Sequence, residues 1–163
     1  MARKISNDFS IEFWFRSTQN AGTGQDPGTG TQWWQGAGLV DAEVDGAKRD
    51  FGVSMFSDGK VVAGVGYNPS DVSILSGPGY NDGKWHHVVF TRTQVSGAMA
   101  LYVDGASQGT AIGDKGSLND SAYLTFGRIQ TGTYSFAGSL DEVAIYTTVL
   151  TPETVLAHYV PVP

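Results

Sequence analysis

From Phe9 to Ser17 the chain alternates Phe9, Ile11, Phe13 and Phe15 with Ser10, Glu12, Trp14 and Arg16. That period of two predicts a half-buried strand with the four apolar residues facing a core. Between residues 81 and 105 two β-branched and aromatic runs, 85–94 and 98–103, are set off by Asn81-Asp82-Gly83, Ser96-Gly97 and Asp104-Gly105. This pattern predicts a β-hairpin. Its first strand carries Trp85 and Val89 on one face and Val88 and Phe90 on the other; being apolar on both faces, it is expected at the centre of its sheet. Residues 51–56 and 60–65 predict a second hairpin across Ser57-Asp58-Gly59, with a type I′ turn expected there. Shorter strands are predicted at 38–41, 122–127 and 140–146. Residues 19–30 read as a mobile surface loop, 67–83 as mostly connection around the apolar pair Ile74-Leu75, and 110–120 as polar loop. One helix is convincing, at 152–158: Thr151 can cap it, Pro152 suits its first turn, and Glu153 and Thr154 lie near its positive end.

Four stretches carry a resemblance. Trp85-His86-His87-Val88 running into Leu101-Tyr102-Val103-Asp104-Gly105 resembles the laminin G-like, concanavalin A-like jelly-roll domains. Phe9-Ser10-Ile11-Glu12-Phe13-Trp14-Phe15 is similar to their early strand, the run from Phe136 through Leu140-Asp141-Glu142-Val143 to Tyr146 to their closing one, and Leu150-Thr151-Pro152-Glu153 to the helical start that follows it. The resemblance spans residues 9–159 in family order. It implies an all-β fold, an antiparallel two-sheet jelly-roll sandwich with one short C-terminal helix, formed by residues 1–163 as a single domain. It does not imply one function, because the family is functionally broad. In the family another strand normally precedes the one at 9–15 and pairs near the closing strand, whereas residues 1–8 here are polar. The edge at 140–146 is therefore expected to be covered either by residues 1–8 or by another chain, giving self-association or a partner's donated strand.

Composition narrows the partners. A sandwich of 163 residues and 17.3 kDa buries a sizeable core, and 22 glycines suit short strands joined by tight turns. A net charge of −6 and a pI near 4.8 leave no basic stripe for nucleic acid or an anionic membrane. With no cysteine there are no disulfides, thiolate nucleophiles or thiolate metal sites. No apolar run follows Met1-Ala2-Arg3-Lys4, so neither a signal peptide nor a membrane span is read. The expected setting is extracellular or at a cell surface, as part of a larger bacterial or phage protein. The Asp-Gly-Lys triplets at 58–60 and 82–84 are recurring turn chemistry.

Candidate chemistry is sparse. Glu43-Val44-Asp45 is similar to the paired carboxylates of family-16-type β-glucanases, which share the jelly roll and need a third carboxylate, with nucleophile and acid about 5 Å apart. Here Lys48 holds the third position and Gly46-Ala47 turns the chain, so a solvated turn and no enzyme are expected. His86 and His87 point to opposite faces and cannot chelate one ion together, and His158 is far away in sequence, so packing roles are expected of them. Neither a Ser, His and acid arrangement nor a phosphate-cradling glycine loop stands out.

Calcium fits better, since its oxygen ligands come from loops and include carbonyls. The resemblance implies a rim ion held by Asp50, just before Phe51, and by Asn119 in Ser117-Leu118-Asn119-Asp120, with the carbonyls of Ser117 and Gly66. Asp50 and Asn119 read equally as ordinary strand-start and turn residues. Asp141 is a separate candidate for a structural ion. Aromatic faces cover the C–H surfaces of sugars while planar polar groups hold hydroxyls. Trp33, Trp34, Tyr67, Arg128 and Tyr134 are thus candidate ligand-binding residues, with Tyr80 also in a connection, unless they cap the sandwich ends. Adjacent tryptophans on a strand point opposite ways, so at most one of Trp33 and Trp34 is expected free. The reading is a non-enzymatic recognition module that binds a glycan or extracellular protein through rim loops, with calcium, for adhesion or targeting. The alternatives are an assembly domain using an open sheet edge and a divergent glycoside hydrolase lacking its catalytic carboxylates.

Overall fold

The structure, a computed structural model, describes residues 5–24, 26–46, 48–67, 70–132 and 134–159. Its strands are β1 (Phe9–Ser17), β2 (Ala37–Asp41), β3 (Phe51–Met55), β4 (Val61–Val65), β5 (Val72–Leu75), β6 (Trp85–Arg92), β7 (Ala98–Val103), β8 (Ala106–Ile112), β9 (Thr125–Phe126) and β10 (Gly138–Tyr146), followed by helix α1 (Pro152–His158). They form two antiparallel five-stranded sheets in the orders β10-β1-β6-β7-β8 and β5-β4-β3-β2-β9, the jelly-roll sandwich that the sequence implies. β6 is the central strand of its sheet, as its two apolar faces predict.

The core lies between the sheets. Phe9, Ile11, Phe13 and Phe15 of β1 meet Phe51 and Val53 of β3 and Val61, Ala63 and Val65 of β4, with Val88 and Phe90 of β6 beside them. β1 differs from a half-buried strand in one respect: its polar face is covered too as far as Glu12, while Trp14 is half-buried and Arg16 exposed. α1 lies over that side, where Val155 packs with Val89 and Tyr102, and Tyr159 stacks on Trp14. Ser10 and Glu12 are consequently buried.

The turns correct two expectations. At Ser57-Asp58-Gly59 only Gly59 has positive φ (79°), and its N–H donates to the Phe56 carbonyl. This is a type I turn closed by a left-handed glycine, not a type I′ turn. The two-residue turn is instead at Asp104-Gly105, with φ of 53° and 73°, and it pairs Val103 with Ala106. The chain there continues into β8, which the sequence does not announce, because an edge strand with half-exposed sides needs no apolar alternation. β5 is missed for the same reason, and the strand expected at 122–127 contracts to β9.

The described part of the N-terminus does not run along β10. The carbonyls of Ser6 and Asn7 accept from Arg92 Nη1, Ser6 O also accepts from Leu118 N, and Asp8 Oδ1 accepts from Gln94 N. Residues 5–8 are thereby held at the Arg92 end of β6, so in the described residues they do not cover the β10 edge; residues 1–4 lie outside the description. β10 carries a bulge opposite Phe13, where its register with β1 shifts and Glu142 takes a φ of 49°. Such a kink discourages strand addition. Arg92 is fully buried and its Nη2 donates to the carbonyls of Asp114 and Gly116. These bonds anchor the loop before β9 to the sandwich rim.

Candidate functional site

Trp33-Trp34-Gln35 forms a single 3-10 turn rather than a strand, fixed by Gln35 Oε1, which accepts from the N–H groups of Thr31 and Gln32 at 2.9 Å each. The turn drives Trp33 inward to 1% exposure, where it packs with Phe56, Val62 and Ile129. Its ring lies over Gly52 and Gly64, where a Cβ would meet it at 2.5 and 2.6 Å. Trp33 is therefore a packing residue that also lines the smaller of two adjoining cavities. Trp34 goes outward, at 38% exposure, with its Nε1 held by Asp71 Oδ2 at 2.8 Å.

Two cavities adjoin at Trp34, Glu43 and Asp45. The larger, about 440 Å³, is also lined by Gln35, Thr131 and Tyr134; the smaller, about 260 Å³, by Asp50 and Asp71. Tyr134 reaches this cleft because Gly28 leaves room for its ring. Tyr67 lines neither cavity; the Arg49 guanidinium sits 4.8 Å above its ring. Arg128 also lines neither, its backbone bridging to Ser135. Of the five candidate ligand-binding residues, the structure joins Trp34 and Tyr134 in the cleft, with Trp33 beneath as wall.

The acids of this rim are not the solvated turn that the sequence suggests. Asp41, Glu43 and Asp45 follow one another at every second position from the end of β2, and Asp41 and Glu43 are buried. Asp41 Oδ2 accepts from Gln130 N at 2.9 Å and Asp50 Oδ2 from Val44 N at 2.8 Å, while Asp41 Oδ1 and Glu43 Oε2 are buried without a hydrogen-bond partner among the described residues. Burial pushes Asp41 up to about 7, and the charge of Asp50 adds to it. Burial likewise takes Glu43 to about 7, helped by Asp41 and Asp45. Asp50 rises to about 7 through burial and the charges of Glu43, Asp71 and Asp120. Among the described residues no lysine or arginine lines either cavity. Sequence reasoning missed Asp41, although its signal was present: three acids spaced by two share one face of an extended chain.

The residues proposed for calcium are partly assembled. Gly66 N donates to Asp50 O at 2.9 Å, and a Cβ on Gly66 would collide with Asp50 Oδ1 and come within 2.8 Å of the Lys48 carbonyl oxygen. This glycine-lined cradle of oxygens suits a hard cation. The loop at 117–120 is tied beside it, since Asp120 Oδ2 accepts from Arg49 N at 2.7 Å. Within that loop the Ser117 carbonyl accepts from Asn119 N at 3.0 Å, and Asn119 is exposed. Among the described residues no three His, Asp or Glu side chains form a metal-holding group, so an ion there would need backbone carbonyls and water as well. Asp141 lies apart in the bulge, accepting from Glu142 N.

The histidines do occupy opposite faces. His86 bridges Asp104 Oδ2 at 2.8 Å and Asp82 Oδ1 at 3.0 Å. His87 Nε2 meets Glu12 Oε1 at 2.7 Å, and the fold brings His158, distant in sequence, to the same carboxylate at 3.0 Å, with Tyr146 OH donating to Glu12 Oε2 at 2.7 Å.

Residues 2–156 match the family model of laminin G type described as the concanavalin A-like lectin/glucanases superfamily. The chain belongs to this superfamily. A curated relative, the sushi, von Willebrand factor type A, EGF and pentraxin domain-containing protein 1 of Rattus norvegicus, is 31% identical over 91 residues, which is 50% of this chain and 3% of that protein. The chain thus matches only a small part of that relative's length. Among solved structures, the CBM40 module of the Ruminococcus gnavus IT-sialidase superposes with a TM-score of 0.69 at 14% identity, covering 95% of this chain and 84% of that one. Domain 4 of AbnA, an extracellular arabinanase of Geobacillus stearothermophilus, gives 0.67 at 20% identity, covering 96% and 68%. At these identities the superpositions establish the fold shared by superfamily members. No helix among the described residues is long and apolar enough to cross a membrane.

Proposed function

We propose that the chain is a non-catalytic recognition module that binds a glycan in the rim cleft between Trp34 and Tyr134, as an extracellular adhesion or targeting domain. The observation that carries this reading is Trp34. A large aromatic stands exposed at the junction of two cavities, its indole orientation fixed by Asp71, above a floor of acceptor groups. An aromatic face held in this way is what the apolar face of a sugar ring needs, and the carboxylates supply acceptors for its hydroxyls. Related structures support the class: the sialidase module is described bound to α2,3-sialyllactose and the arabinanase domain in complex with arabinotriose.

Calcium belongs to the proposal as the counter-ion of the rim. Asp50, the Gly66 cradle and the adjoining Ser117 to Asn119 loop would hold it, and it would supply a positive centre for sugar oxygens. A strand from another chain would be a second mode of contact at the outer edge of β10, which carries no strand among the described residues, and the bulge at Glu142 opposes it. The test of the glycan reading is retention on a panel of immobilised polysaccharides, with and without calcium. Retention that is lost in Trp34→Ala is expected; no retention on any of them, or retention that survives Trp34→Ala, overturns it.

A further inference from the structure

The rim cleft has a charge that its ligand must answer. Resting on the glycan reading, we propose that it selects sugars bearing a free, protonated amino group, of the glucosamine type, over their N-acetylated and anionic counterparts. Among the described residues every charged side chain lining the two cavities is an acid: Glu43 and Asp45 in both, Asp50 and Asp71 in the smaller. Arg49, next to Asp50 in the chain, is engaged elsewhere, with its Nε bonded to Asp114 Oδ2 at 2.9 Å and its guanidinium over Tyr67. A uronic or sialic acid entering without a bridging cation would be repelled.

Glu43 turns this general acidity into a site. It is 8% exposed, it lines both cavities, and its Oε2 has no donor among the described residues. A neutral hydroxyl offers this carboxylate one hydrogen bond and no charge. An ammonium offers three donors and the missing positive charge, and charge-assisted bonds are about twice as strong as neutral ones. Trp34 makes a sugar amine fit better than a lysine side chain. On a pyranose the amine sits on a rigid ring whose C–H face can lie on the indole, so the aromatic contact and the ion pair form together and little rotamer freedom is lost. An N-acetyl group keeps the ring but removes the charge and places an amide and a methyl against the buried carboxylate.

The experiment is titration calorimetry in chelator with a fully deacetylated glucosamine tetramer and the matched N-acetylglucosamine tetramer, the amine being protonated. The deacetylated ligand is expected to bind at least about tenfold tighter. Glu43→Gln should bring the two affinities to within about threefold, while Trp34→Ala weakens both. Asp45→Asn, at an exposed position, should narrow the preference without disturbing a buried group. Equal affinities in the unaltered protein overturn the amine preference and leave the glycan reading standing. Preference that survives both acid substitutions overturns the assignment to this cleft. A tetralysine peptide that binds as tightly as the amino sugar overturns the sugar class, and binding of neither tetramer, together with no retention on any polysaccharide, removes the glycan reading itself.

Discussion

Glu12 and Glu43 are alike in burial, 7% and 8% exposed, and opposite in chemistry. Glu12 lies on the outer face of the sheet beneath α1. Burial alone would push its pKa up, but hydrogen bonds with Tyr146, His87 and His158, and the charge of His158, bring it below its ordinary 4.5. Glu43 at the rim suffers the same burial, has the acids Asp41 and Asp45 for neighbours, and rises to about 7. Partners, then, and not depth, decide what a buried carboxylate is for. Both oxygens of the Glu12 carboxylate are engaged, although Nδ1 of His87 is buried without a partner among the described residues, and the cluster fastens helix α1 to the sandwich. At the rim, Oε2 of Glu43 is left over.

Breaking the saturated side should have the largest effect. Glu12→Ala strands His87 and Tyr146 around a buried void, and a loss of about 3 kcal/mol in denaturant unfolding is expected. A loss under about 1 kcal/mol would show that the cluster does not hold α1.

The next effect is the pH dependence of stability in chelator. Asp41, Glu43 and Asp50 have folded pKa values of about 7, above their ordinary 3.8 to 4.5. Their contribution is therefore fully present at acid pH, below the ordinary values, and is lost as pH rises through about 7. Glu12 behaves inversely, its contribution being lost as pH falls through its lowered value. Melting temperature should thus fall as the solution is taken from mildly acid to mildly alkaline. Glu43→Gln should flatten the fall and stabilise the alkaline protein by about 1–3 kcal/mol; a destabilised Glu43→Gln would mean that the backbone bond from Thr131 to the carboxylate outweighs its burial.

Calcium sharpens the same contrast from the other side. An ion that binds the folded rim raises melting temperature by mass action, by a few degrees at saturating concentration. Asp50→Ala should abolish the gain and Asn119→Ala reduce it, while Glu12→Ala leaves it intact. The same melting temperature in calcium and in chelator refutes the ion. The smallest effect concerns β10, whose Tyr146 bonds Glu12 and whose outer edge carries no strand among the described residues. Amide exchange along residues 140–146 should be slowed by a second chain at that edge, with a sedimentation mass above that of one chain. A single-chain mass with fast exchange refutes the partner strand.

The residues that alternate along one element were legible without the fold. Phe9, Ile11, Phe13 and Phe15 face the core as their spacing demands, β6 is central, and Thr151 caps α1 through a bond from Thr154 N. A period of two or a cap is written in neighbouring residues, and backbone geometry alone converts it into a face or an end. Edge strands β5 and β8 were not legible, because half-solvated positions leave composition unconstrained.

The site was legible only in its ingredients. Trp34, Tyr134 and Asp50 could be named, and the acidic alternation 41, 43, 45 was there to be seen. Two things were decided by tertiary structure alone. A 3-10 turn over Gly52 and Gly64 sends Trp33 inward and Trp34 outward, and the packing of α1 gives Glu12 three partners from β6, β10 and the helix itself. Hydrogen-bond satisfaction depends on groups that meet across more than a hundred residues of chain, as His158 and Glu12 do. Local sequence holds no trace of such a meeting, so the difference between a saturated and an unsatisfied carboxylate emerges only when the sheets and the helix come together.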